Sequence, residues 1–531
     1  MKNQKILLRI NYKDIENNFK EYKRISKQGE LCIPVLKGNA NGMGQLQTVA
    51  QLLNMEKPQK DYYVYLLEEG IQLRKNFGDK VKNIFCITGP MKGQEKFYYN
   101  NKITPVLNSI EQMETWSNYA KSKNEVLDVV LDFNLALNRS GFQSTDIDYV
   151  QKFVSDKANK LNIVTVMGHM ACQYTFGTEK GKKFTEPEYN KFLEIASKFP
   201  NINRGIFASV MLLRHPEKSL ETSRPGVSLY CGFPSTEIEK SDSAECELKT
   251  ALTLMAPLFK KSDKEVYIKF GIKHGMATAY KDNGYVLVDG EKIYAKSVEM
   301  DKTIFKVDDA NRFAGKMALL TGYNGNDVLD AYVFSLMNAT VPEEILSKIP
   351  EHYKFSPEEY ELDLISNVEK VKEKDWEERD LEPRTIALID KNTGKIKKFI
   401  STILEIREIE EDGYYGYGAA DPVKKGEIIA TFPVGYTDGI DRKMGKYDVN
   451  MFVEVDGKLV ECKFCKRVSM DQNSVRIPIE YKDKVKVGDK LIIIDNEKGA
   501  FTSRFEKAMD IPEEEIFFMV PHTIRVKKIY E

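Results

Sequence analysis

The chain has 531 residues, long enough for about three domains of ordinary size. Its 79 basic and 80 acidic side chains leave a formal net charge of -1, which excludes the basic excess that nucleic acid or an anionic membrane asks of a partner. No apolar run approaches the roughly 18 residues needed to span a bilayer, and the N-terminus MKNQKILLRINYKDIE meets charges before a signal-type stretch forms, so the chain is expected in the cytoplasm.

In chain order, Ile15, Phe19, Tyr22 and Ile25 fall at helical spacing, and LCIPVLKG follows as a short buried strand. Strand-like runs then recur at DYYVYLLEE, NIFCITG, ITPVLN, VLDVVLDF, NIVTVMG, GIFASVM and VSLYCG, with helical stretches such as SIEQMETWSNYAKSK and TEPEYNKFLEIASKF between them. This alternation predicts an α/β fold, a (β/α)8 barrel over residues 1–240, with reactive groups at the C-terminal ends of the strands.

After Phe233 the texture becomes mainly β, with Asp-Gly turns at Asp289-Gly290 and Asp456-Gly457. GYVLVDGEKIYAKSVEMDKTIFKV, from Gly284, echoes NMFVEVDGKLVECKFCKRVSMDQNSVRI, from Asn450, with Val-x-Met-Asp shared at Val298–Asp301 and Val468–Asp471. Two repeated β domains are expected, at 250–356 and 398–531, joined by a charged linker at 357–397; two unrelated β regions with similar hairpins are the alternative. Seven cysteines, an odd number scattered along a long chain, suit reduced thiols. Cys462 and Cys465 lack a second pair or a histidine cluster, so they are read as strand residues and no metal site is predicted.

Lys37, in PVLKGNANGMG, comes off an apolar strand into a glycine-rich turn, where a barrel presents a reactive side chain and where a solvated capping lysine also sits. Further motifs follow in order: NRSGF at Asn138, MGHMA at Met167, ASVMLLRHPE at Ala208, SRPGVSLYCG at Ser223, YGAAD at Tyr417, PVGYTDG at Pro433 and RVSMDQ at Arg467. Together they resemble the alanine racemase family over residues 5 to about 235 and about 398 to 526, skipping the first β repeat.

That resemblance implies pyridoxal phosphate as cofactor, Lys37 as its carrier and one base, and Tyr417 as the opposite base. It implies that Arg224 faces the pyridine nitrogen, that Arg139 lies near the cofactor phenolic oxygen and the substrate carboxylate, and that His169 lies beside Tyr417. Ser209, Gly226 and Val227 would hold the phosphate, with Asn41 where the family has a phosphate-binding tyrosine. Tyr436 would line the entrance, and the backbone of Met470 would bind substrate from the partner subunit of a homodimer with shared sites.

Several positions depart from the pattern. Asp132 replaces a lysine that supports the arginine when carbamylated, and its carboxylate is expected to serve directly. Gly205 replaces a polar neighbour of the ring, and Phe518 replaces a tyrosine of the substrate pocket. The resemblance makes alanine the expected substrate; serine or a larger or basic amino acid, and a non-catalytic pyridoxal phosphate barrel, are the alternatives. Alignment of the repeats puts His274 near the place of Tyr436, as a surface or turn residue of a catalytically silent copy.

Overall fold

The computed structural model describes residues 5–176, 178–233, 246–338, 340–374, 381–392, 396–500 and 527–530. The chain divides into two compact units, one of Met1–Ile25, Gly38–Gln59 and Pro225–Lys372, the other of Ser26–Lys37, Lys60–Arg224 and Glu373–Glu531.

β1 (Ile6–Asn11) belongs to the first unit. The second unit holds the barrel. Strands β2 (Asp61–Val64), β3 (Asn83–Cys86), β4 (Thr104–Leu107), β5 (Leu127–Phe133), β6 (Leu161–Gly168) and β7 (Asn203–Gly205) lie side by side in sequence order, all parallel. β8 (Phe207–Ala208) continues β7 and pairs in parallel with β9 (Ser223–Arg224). Segment 32–35 bridges β9 through Cys32 and Ser223 and β2 through Val35 and Tyr63, which closes a ring of eight parallel segments. Strands covered on both faces are apolar almost throughout, and Ile33, Val35, Tyr63, Phe85, Val106, Val130 and Met167 fill the interior.

The eighth strand differs from its reading. VSLYCG is a helical turn, Ser228–Cys231, and the strand lies earlier at Ser223–Arg224, because the Pro225-Gly226 break removes an amide donor and ends the extended run.

The first unit carries a second sheet of β10 (Leu252–Pro257), β11 (Phe259–Ser262), β12 (Glu265–Ile268), β13 (Tyr285–Val288), β14 (Glu291–Val298), β15 (Thr303–Lys306), β16 (Met317–Asn324), β17 (Asp327–Leu329) and β18 (Tyr360–Ile365). Its order is β11-β12-β15-β14-β13-β16-β10-β1-β18, with β17 beside β16. The second unit adds β19 (Thr385–Ile389), β20 (Ile396–Thr402), β21 (Glu405–Glu408), β22 (Gly413–Tyr415), β23 (Asp421–Val423), β24 (Ile428–Phe432), β25 (Asn450–Val455), β26 (Lys458–Phe464), β27 (Asn473–Ile477), β28 (Lys490–Asp495) and β29 (Lys527–Tyr530). Nine of these form a sheet in the order β21-β24-β27-β26-β25-β28-β20-β19-β29.

The two nine-strand paths are the same path. β1 pairs antiparallel with β10 and parallel with β18, as β19 does with β20 and β29. Both Asp-Gly turns close antiparallel hairpins with positive φ at each residue (50 and 85°, 51 and 75°), the geometry that favours this dipeptide. The segment read as a charged linker contains β18 near its start and β19 near its end.

The copies differ at one joint. In the first, β11 and β12 are separated only by Asp263 and Lys264; in the second, 409–427 stand between β21 and β24 and fold into the β22–β23 hairpin. Among the described residues no helix is long and apolar enough to cross a membrane.

Candidate active site

Lys37 follows Leu36, whose amide donates to the Tyr63 carbonyl at 2.8 Å and so fixes the end of the barrel segment. The next residues, Gly38 to Asn41, take φ of 62, 54, 55 and 52°. Left-handed backbone costs a non-glycine residue roughly 1–2 kcal/mol, so the turn holds the chain after Lys37 in a strained course. Lys37 Nζ makes a 2.5 Å ion pair with Asp471, which is buried.

Tyr417 sits at the tip of the β22–β23 hairpin. Gly416 donates its amide to the Leu137 carbonyl at 2.9 Å and Gly418 to that of Ala171 at 3.0 Å, which seats the tip on the loops after β5 and β6. Both glycines have positive φ, and a Cβ on Gly416 would lie 2.8 Å from that of Arg467. Leu137, Ala171 and Cys172 pack against Tyr417. The Tyr417 hydroxyl lies 2.8 Å from His169 Nε2, with the rings edge to face.

Burial, reinforced by the charges of Arg139, Arg224 and Lys37, holds the His169 imidazole well below its ordinary pKa, so it is neutral at physiological pH. With Nε2 bare it accepts the phenol's hydrogen; in the other tautomer it donates to the phenolate. The Arg139 guanidinium carbon is 5.4 Å from the centre of the Tyr417 ring, and Arg139 Nε is buried without a hydrogen-bond partner among the described residues. The two Nη groups of Arg224 donate to the carbonyls of Gly205 (3.0 Å) and Gly168 (2.8 Å), which locks the guanidinium across β6 and β7. Gly205 has no room for the polar side chain it replaces, because a Cβ would lie 2.0 Å from Thr222 Oγ1.

The structure thus brings Lys37, Arg139, His169, Arg224 and Tyr417 together in one unit. Ser209 is buried at the start of the helix Ser209–Arg214. Tyr436 is buried, and the Met470 carbonyl accepts from the Thr437 hydroxyl at 2.7 Å. Asn41, Gly226 and Val227 belong to the first unit, where the Asn41 side-chain nitrogen is buried without a partner among the described residues and Gly226 and Val227 lead into the turn Ser228–Cys231. Phe518 lies outside the described residues. Cys462 lies in β26 and Cys465 just beyond it, both buried.

Two expectations need correction. Asp132 is expected to support Arg139 as a ready carboxylate; burial instead pushes its pKa up to about 7 against the pull of Arg224 and Arg139, and no ion pair joins it to Arg139 among the described residues. His274 matches Asp438 rather than Tyr436, and it is buried. Its Nδ1 accepts from the Gly271 amide, as Asp438 Oδ2 accepts from that of Gly435, and its Nε2 meets Glu359 at 2.8 Å. The residue in Tyr436's place is Ile272: its amide donates to the Glu299 carbonyl as that of Tyr436 donates to Ser469.

Three contacts have no signature in the residues around them. Besides Asp471 on Lys37, the Tyr65 hydroxyl donates to Gln472 at 2.6 Å, and Glu188 accepts the amides of Ala136 and Ala171 at 3.1 and 3.0 Å, clamping the two loops under Tyr417. Burial pushes the Glu188 pKa up to about 7.

Comparison with known proteins gives the family. The family model for the alanine racemase N-terminal domain matches residues 10–234, and that for the C-terminal domain matches residues 396–530. The chain belongs to the alanine racemase family. It is 26% identical over 366 residues to an alanine racemase of Carboxydothermus hydrogenoformans, covering 64% of this chain and 96% of the relative. It is 25% identical over 359 residues to one of Rickettsia africae, covering 65% and 97%. The crystal structure of alanine racemase from Bartonella henselae with covalently bound pyridoxal phosphate superposes with a TM-score of 0.58 at 19% identity, over 68% of this chain and 99% of that one. Residues 235–395, which hold all of the first β copy except β1, fall between the two matched stretches.

Proposed function

We propose that the protein is a pyridoxal phosphate-dependent amino-acid racemase, with alanine as substrate and Lys37 and Tyr417 as its two bases. The observation that carries this reading is the 2.8 Å contact of Tyr417 with His169 at the C-terminal ends of the barrel strands, with the Lys37 charge near enough to act on the imidazole. Bound through a lysine, pyridoxal phosphate supplies the electron sink that lets the α-carbon of an amino acid lose and regain its proton.

The side chains fit such a group. Lys37 is a partly exposed primary amine, and the orphaned Arg139 Nε is a buried donor suited to an anionic oxygen. Arg224, held by two carbonyls, is a fixed cation that would face the ring nitrogen, where it would disfavour protonation and restrain competing chemistry. Ser209, with Asn41, Gly226 and Val227 carried over by resemblance, would hold the phosphate, and Met470 and Tyr436 would face the substrate.

In this reading Lys37 carries the proton on one side of the α-carbon and Tyr417 on the other, while neutral His169 holds the Tyr417 hydroxyl in place through their hydrogen bond. Alanine is the substrate in the names of the relatives, and free thiols at all seven cysteines suit the cytoplasm. The test is incubation with pyridoxal phosphate, reduction with borohydride and peptide mapping, alongside polarimetry of L-alanine. Label on Lys37 and loss of optical rotation are expected; label on another lysine would overturn the assignment.

A further inference from the structure

We propose that a single chain is the complete catalytic unit: the second β copy closes the site of the barrel that precedes it in the same polypeptide, and the first copy serves as scaffold. This rests on the racemase reading. It departs from the shared-site homodimer that the resemblance implies.

Three side chains that the second β copy brings to the site meet barrel residues of their own chain. Tyr417 meets His169, Asp471 meets Lys37, and Gln472 meets Tyr65. Around them the docking is extensive and polar. Arg407 donates to the Gly141 carbonyl at 3.0 Å, Thr431 to that of Arg139 at 2.9 Å, and Arg384 to Thr88 at 2.7 Å. These donor groups are buried, so each would carry the cost of an unmet donor if the β copy were elsewhere.

The duplication explains how one chain can do this. The first sheet takes β1 as an inner strand, so it is tied to the chain's N-terminus. The second sheet has β19 in that place and takes no strand from the barrel or from β1, so it is free to sit on the catalytic mouth.

The first copy keeps the frame and lacks the chemistry. Its two-residue β11–β12 turn replaces the whole Tyr417 hairpin. The counterpart of Asp471 is Asp301, whose side chain is 64% exposed where that of Asp471 is 3% exposed.

The test pairs two inactive chains. Lys37→Ala and Tyr417→Phe are co-expressed with different tags, loaded with pyridoxal phosphate and assayed together. A site made within one chain gives no more activity than the two variants give separately; a site shared between two chains restores about a quarter of wild-type activity, because half the dimers are mixed and each has one intact site. A readout independent of cofactor and turnover uses Thr145→Cys with Glu410→Cys, an exposed pair in which the Thr145 amide donates to Glu410 at 3.2 Å. A short bis-maleimide should join them within one chain, giving a product of single-chain mass. A product of doubled mass, or restored activity in the mixture, overturns the proposal. An inactive wild type would refute the racemase reading, while the crosslink would still decide which chain the β copy covers.

Discussion

Replacing Asp132 by asparagine separates its charge from its shape. Its pKa rises from an ordinary 3.8 to about 7, first because burial disfavours the carboxylate, with Arg224 and Arg139 offsetting only part of that. Between these values the unfolded chain has released the proton and the folded chain has not, so stability falls as pH rises through the window and is level above it. At 1.36 kcal/mol per pH unit the whole effect is about 4 kcal/mol, and the part between pH 5 and pH 8 is about 3 kcal/mol. With an unfolding entropy of roughly 2.1 cal/mol/K per residue, that part equals about 2–3 °C in melting temperature for a chain of this length. Asp132→Asn cannot ionise, so scanning calorimetry of the apoprotein should show the variant gaining that much on wild type between pH 5 and pH 8. Other titrating groups, Glu188 and His169 among them, are common to both proteins and cancel in the difference. Parallel melting profiles would refute the reasoning.

Tyr417→Phe should still form the borohydride-reducible link at Lys37 yet lose racemisation by about 100-fold or more; in deuterated water, α-proton exchange should survive better for one enantiomer of alanine, and equal exchange of both at the wild-type rate would exclude two bases. Gly416→Ala puts a Cβ 2.8 Å from that of Arg467 at a φ of 75°, so turnover should drop while the label at Lys37 persists, as peptide mapping would show. His274→Ala removes two hydrogen bonds of a buried side chain, at a cost of roughly 1–3 kcal/mol in urea unfolding, and should leave turnover per folded enzyme close to wild type. A collapse of turnover in a folded His274→Ala protein would mean that the first β copy takes part in the chemistry.

Much of this was legible in the residues, for physical reasons. Parallel strands buried on both faces carry unbroken apolar runs such as VLDVVLDF, and the Asp-Gly pairs mark hairpins that need two positive φ angles. Short strands in charged surroundings were not legible. β18 reads YELDLI and alternates too briefly to stand out from a linker, yet its backbone pairs with all six residues of β1. The ion pair between Lys37 and Asp471 is a product of tertiary folding alone, and neither residue's neighbours announce it. His274 misled because alignment on Val-x-Met-Asp fixes the loop only to within two residues, and the match with Asp438 shows in the backbone donors that the two side chains accept.

The pairing of β1 with β18 also sets a timetable for synthesis. Arg9 and Asp363 are partners 354 residues apart, so β1 leaves the ribosome long before its parallel neighbour exists. At roughly 5–20 residues per second the wait is about 20–70 s. One edge of β1 stays unpaired throughout, a template for any strand that reaches it first. The second sheet has no such interval with β1: all its strands lie between Thr385 and Tyr530, and it assembles from that stretch alone. Slowed elongation before Asp363 should therefore expose the nascent chain to aggregation through β1, and the β22–β23 hairpin would arrive only after that wait.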